Sequence, residues 1–135
     1  MRGRKPHNTL TDAAGLADAP KAPTWLSKHA RAEWRRVVPL LVERGILTDA
    51  DLGALESYCV SMGAVREAQE TLTRDGLIVQ TDKGPKRHPA FGIMNAAQTT
   101  ARLCAAELGL TPVSRSRPAV RDDNASEDDD NPLAD

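Results

Sequence analysis

The side chains best suited to chemistry in this sequence are cations, and they fall in clusters. Lys28, Arg31 and Arg35 recur at spacings of three and four, which lines them along one stripe of a helix. Arg2, Arg4 and Lys5 crowd the N-terminus, Lys83, Lys86 and Arg87 form a third group, and Arg115 with Arg117 a fourth. Such groups suit a phosphate backbone, where each neutralised phosphate releases condensed counterions. No aromatic side chains interleave with them, which disfavours stacking on unpaired bases and favours contact with a duplex backbone. A solvated helix face would carry the same residues, at a small cost for cations in the first turn.

Groupings for covalent or metal chemistry are not found. There is no Gly-x-x-x-x-Gly-Lys-[Ser/Thr] loop, and Gly84-Pro85-Lys86 cannot stand in for one, because proline removes an amide donor where a phosphate cradle needs donors. His7, His29 and His88 have no nucleophile or metal-ligand partner nearby in sequence. Cys59 and Cys104 stand alone inside helical patterns, without the short ligand spacings of a zinc site, and read as reduced, half-buried side chains. Asp49, Asp51 and Glu56 could suggest a cation site, but acids at a helix start ordinarily complement its dipole. The expectation is a protein with no catalytic residue, metal or cofactor of its own.

The elements that carry the cations follow from apolar periodicity and punctuation. Ser27 is suited to cap a first helix that runs to about Arg44 and stops at Gly45. Trp34, Val38, Leu41 and Val42 form its apolar stripe, and Pro39 within it costs one hydrogen bond. Thr48, Asp49 and Asp51 open a second helix of about 27 residues, roughly 40 Å long. It carries Leu55, Tyr58, Met62, Val65 and Leu72 at three-to-four spacing, up to Asp75-Gly76. Leu77-Ile78-Val79 and the turn residues after them predict a short strand or extended loop. His88-Pro89 opens a third helix, with Ile93, Ala96, Ala97, Thr100, Leu103, Cys104 and Leu108 as its expected buried face and Gly109 as its end. The fold class is therefore all-α: three main helices with a long helical hairpin, and a short extended or β segment between helices 2 and 3.

Aromatic residues are only 3% of the chain, so Ala, Leu and Val must fill the core, which suits closely packed helices. A second helix this long outruns the apolar surface available to cover it, which points to self-association rather than a loose monomeric hairpin, with Trp34, Leu41, Leu55, Tyr58, Met62, Val65 and Leu72 as candidates for core or oligomer contacts. The formal net charge of −1 hides a segregation. Residues 118–135 hold seven acids against one arginine, net −6, while residues 1–117 hold 17 basic and 12 acidic side chains, net +5. The expected organisation is a flexible basic arm over 1–24, a helical domain over 25–117 and a disordered acidic tail over 118–135. No run of about 18 apolar residues predicts a membrane span, and no apolar run follows the basic N-terminus as a secretory signal would require.

An ordered set of segments resembles the small subunit of tailed-phage terminases. It begins with Arg2-Gly3-Arg4-Lys5-Pro6, Pro23-Thr24-Trp25-Leu26-Ser27 and Ala32-Glu33-Trp34. It continues with Leu47-Thr48-Asp49-Ala50-Asp51, the helix bearing Tyr58, Gly76-Leu77-Ile78-Val79 and His88-Pro89-Ala90. It closes with Ala106-Glu107-Leu108-Gly109-Leu110-Thr111-Pro112 and Ser114-Arg115. The resemblance implies a homo-oligomeric ring in the host cytoplasm that recognises viral double-stranded DNA and recruits a separate large terminase subunit, the holder of the ATPase and nuclease. The alternative from another class is a protein–protein adaptor with no direct DNA contact. The start of the second helix offers few polar base-reading side chains, so arms or a basic surface, not a groove-filling helix, are expected to grip DNA.

Overall fold

The computed structural model describes residues 15–115. Helix α1 spans Lys28–Glu43; a 3-10 turn at Asp49–Asp51 leads into α2, Leu52–Asp75; strands β1 (Ile78–Thr81) and β2 (Gly84–Arg87) follow; and α3 spans Pro89–Glu107. This is the three-helix, mainly α fold that the periodicity predicts. The expected extended segment resolves into an antiparallel hairpin in which Ile78 pairs with Arg87 and Thr81 with Gly84.

Local chemistry sets the boundaries. The Ser27 side chain accepts a hydrogen bond from the Ala30 amide at 3.3 Å. Gly45, at φ 69°, turns the chain out of α1 in a conformation that a β-carbon would strain. Asp51 Oδ2 accepts from both the amide (3.0 Å) and the hydroxyl (2.9 Å) of Thr48, so this acid closes a capping box. His88 caps α3, its Nδ1 accepting from the Ala90 amide at 3.0 Å, and Pro89 occupies the first helical position. The other ring nitrogen of His88 lies 3.0 Å from Asp75 Oδ2, which ties the end of α2 to the start of α3 beneath the hairpin. Hydrogen bonds from Arg74 and His88 hold the Asp75 carboxyl well below its ordinary pKa.

The helices form a layer with α2 in the middle. Leu55, Cys59 and Gly63 sit about half a helical turn from Ser61, Ala68 and Leu72 on α2. α2 makes the main helix–helix contacts with both neighbours. Leu55 and Cys59 join α1 residues and Ala101, Cys104 and Leu108 in the main core, and Ala68 and Leu72 pack with Ala90 in a smaller one. Gly63 permits the closest approach, since a β-carbon there would stand 3.0 Å from the Ala30 nitrogen. Leu41, Leu47 and Leu55 are fully buried, each contributing about 2 kcal/mol of apolar burial. The long helix is therefore covered from within the chain on two sides, while Val60 stays exposed and Met62 and Val65 half-buried.

Two expectations are corrected. On α3 the inward residues are Ala90, Ala101, Cys104 and Leu108, whereas Ile93, Ala96, Thr100 and Leu103 are exposed. The helix is rich in Ala and Thr all round, so two stripes satisfied the same rhythm, and close contact with α2 selected the smaller side chains. Residues 15–24, read from composition as the end of a flexible arm, form a strap along α1. The Leu16 amide donates to the Leu47 carbonyl at 2.7 Å, and Trp34 Nε1 donates to the Pro20 carbonyl at 3.0 Å. Leu16 and Ala22 pack against the main core, and Gly15 lies so near Gly45 that a β-carbon would stand 2.4 Å from its carbonyl oxygen.

A buried polar network crosses the α1–α2 contact, beside an ion pair of His29 with Glu70 at 2.6 Å. The buried Glu33 carboxylate accepts from the Tyr58 hydroxyl at 2.7 Å and from Arg36 Nε at 3.1 and 3.2 Å, and it also pairs with Arg36 Nη2. Burial pushes the Glu33 pKa up, but the bonds from Arg36 and Tyr58 outweigh it and hold the group ionised below its ordinary value. Burial and the adjacent carboxylate push Tyr58 and Cys59 up, each to about 12.

Candidate nucleic-acid interface

The strap and α1 enclose a shallow groove of about 500 Å³. Its floor is Trp34, Val38 and Pro39, and its cationic lining is Lys21 from the strap with Arg31 and Arg35 from α1. Among the described residues no carboxylate lines it, because Glu33, on the same helix, is turned inward to Tyr58 and Arg36. The bond between Trp34 Nε1 and Pro20 fixes the strap and hence sets Lys21 opposite the α1 stripe. Lys28 is exposed one turn before Arg31 on the same stripe.

The cations of this groove differ in freedom. Arg35, Lys28 and Lys21 are exposed. Arg31 is half-buried and already donates through Nη2 to the carbonyls of Thr24 and Leu26, both at 3.1 Å. It holds the turn before α1 and keeps its remaining N–H groups for another acceptor. Arg36 is neutralised by Glu33 and adds little to the field.

The structure does not join the other predicted clusters to this groove. Lys83, at the tip of the β1–β2 hairpin, and Lys86 and Arg87 on β2 are exposed beyond the C-terminal end of α2. Arg87 stands over the Phe91 ring, 5.4 Å from its centroid. Arg115 lies at the opposite end of the layer, beside Ile46 and Gly109. Arg2, Arg4, Lys5, Arg117 and the acidic segment 118–135 lie outside the described residues.

Of the apolar residues expected in core or oligomer contacts, Trp34, Leu41, Leu55, Tyr58 and Leu72 are buried. Met62 and Val65 are half-buried and line a second groove, of about 620 Å³, together with Gln98 and Arg102 of α3. Lys21 was missed by sequence reasoning, which had no signal for it: a single lysine in a Pro- and Ala-rich stretch acquires meaning only when Pro20 is bonded to Trp34. Among the described residues no three His, Cys, Asp or Glu side chains gather as a metal site, and no helix is long and apolar enough to cross a membrane.

This arrangement sets Lys21, Arg31 and Arg35 around an apolar floor, with no carboxylate among the lining residues. A family model described as phage terminase, small subunit, matches residues 30–125, from the first turn of α1 into the acidic segment. The chain belongs to that family, and its general role is in phage genome packaging. No curated protein and no solved structure matches it.

Proposed function

We propose that the chain is a non-catalytic recognition subunit of the packaging motor, binding viral double-stranded DNA through the groove between the strap and α1. It assembles into a homo-oligomeric ring in the host cytoplasm and recruits the large terminase subunit, which supplies the ATPase and nuclease. The observation that carries the DNA reading is the convergence of Lys21, Arg31 and Arg35 on one carboxylate-free groove, with Lys28 continuing the stripe. Contacts of this kind grip the backbone, so affinity depends steeply on salt and little on sequence. The hairpin cations Lys83, Lys86 and Arg87, the terminal arm with Arg2, Arg4 and Lys5, and Arg115 with Arg117 provide further backbone contacts once several copies surround one duplex. Exposed Ile93 and Leu103 on α3, and Met62 and Val65 beside the second groove, supply apolar surface for contacts between copies.

The test is sizing of the purified chain together with duplex binding at several salt concentrations. The reading predicts an oligomer whose affinity falls linearly in log–log form as salt rises. A strict monomer without salt-dependent affinity contradicts it, and an oligomer that ignores DNA supports the adaptor alternative.

A further inference from the structure

We infer that the groove between the strap and α1 also receives the chain's own acidic C-terminal segment, residues 118–135, which competes there with DNA. The contact stands on charge and reach alone; its consequence for DNA rests on the function proposed above.

Charge complementarity is the first observation. The groove presents Lys21, Arg31 and Arg35 with no opposing carboxylate in its lining. The segment carries Asp122, Asp123, Glu127, Asp128, Asp129, Asp130 and Asp135 against Arg121 alone. At separations shorter than the Debye length of about 10 Å, such charges attract strongly at low salt.

Reach decides among the basic surfaces. Arg115, the last described residue, lies at the end of the layer where Leu41 and Ile46 close α1. Arg35 is nine residues up α1 from Arg44, or about 14 Å at the helical rise. The twelve residues from 116 to Glu127 span at most about 40 Å, so the groove lies within that reach. The hairpin lies a whole α2 away, about 36 Å for its 24 residues. Bringing Glu127 to Lys86 would need the intervening chain almost fully extended.

The magnitude is set by tethering. A segment on so short a connection has an effective concentration on the order of 1 mM. A contact of a few ion pairs, with an intrinsic dissociation constant of about 0.1 mM, would then occupy the groove roughly ten parts to one and weaken DNA binding about tenfold.

The experiment uses the full-length chain at low salt. A carbodiimide, which condenses a carboxylate with an amine, is applied to mixed isotope-labelled and unlabelled protein, and cross-links are mapped by mass spectrometry. The inference predicts links from Asp122–Asp130 to Lys21, lost in half-molar salt and formed within one chain. Links confined to Lys83 or Lys86, links only between chains, or none to Lys21 overturn it. In parallel, a chain whose seven tail acids are changed to Asn or Gln should bind a DNA duplex about tenfold tighter than the native chain. That gain should vanish when Lys21→Ala and Arg35→Ala are added. Unchanged DNA affinity despite Lys21 cross-links overturns the competition. If neither chain binds DNA, the proposed function fails, while the cross-links still decide the contact.

Discussion

The Glu33 network gives the sharpest test of how α1 and α2 are held together. In Glu33→Ala the Tyr58 hydroxyl loses its 2.7 Å acceptor, and the largely exposed Arg36 side chain returns to water. A hydrogen bond to a charged group contributes about 1.5–3 kcal/mol, and a buried group left unpaired costs about 1–3 kcal/mol. The expected loss is therefore about 2–4 kcal/mol, against about 1 kcal/mol for Glu33→Gln, whose amide oxygen still accepts from Tyr58. Tyr58→Phe removes one bond and leaves the Arg36 pair, for about 1–2 kcal/mol. Because the folded pKa of Glu33 is lowered, its contribution is fully present above the ordinary carboxylate range and disappears as pH falls through that range and below it. The assay is urea unfolding followed by tryptophan emission, at one fixed protein concentration so that any self-association contributes equally to every variant. The gap between native and Glu33→Gln protein should narrow as pH drops below about 4. Glu33→Ala within 0.5 kcal/mol of native, or a gap that widens on acidification, refutes the reasoning.

Three more outcomes follow from particular contacts. Trp34→Phe removes the bond to the Pro20 carbonyl while keeping most of the buried ring; it should cost about 1 kcal/mol and speed proteolysis within residues 15–24, and an unchanged cleavage pattern would count against the strap. His88→Ala removes the acceptor of the Ala90 amide; it should cost about 1 kcal/mol and speed hydrogen exchange at Ala90, whereas His88→Asn restores much of the protection. Cys59, buried and with its thiol pushed up to about 12, should resist a thiol reagent at pH 8 until the protein unfolds, and rapid labelling of the folded chain would contradict its burial.

Much of the fold was legible because its punctuation is local. Ser27, Gly45, Thr48, His88-Pro89 and Gly109 act within a few residues of themselves, so helix ends could be read with no knowledge of packing. What was not legible depends on residues far apart in sequence. Tyr58 meets Glu33 across 25 positions, Trp34 meets Pro20 across 14, and Leu16 meets Leu47 across 31. Composition alone made 15–24 a flexible arm, and so Lys21 was passed over. On α3 the abundance of Ala and Thr blurred the inward stripe, since small residues tolerate either environment. The stripe of Lys28, Arg31 and Arg35 was visible from spacing, but spacing could not tell that Arg31 is half committed to the carbonyls of Thr24 and Leu26.

The central claim, that the groove between the strap and α1 grips DNA by its phosphates, is tested most directly by the salt slope of duplex affinity. The measurement compares the native chain with the Lys21→Ala, Lys28→Ala, Arg35→Ala triple variant, with retained helix content checked by circular dichroism. Each lost phosphate contact lowers the log–log slope by about 0.9, so the triple variant should be shallower by nearly 3 and weaker on every sequence alike. A folded triple variant with the native slope and affinity would contradict the account.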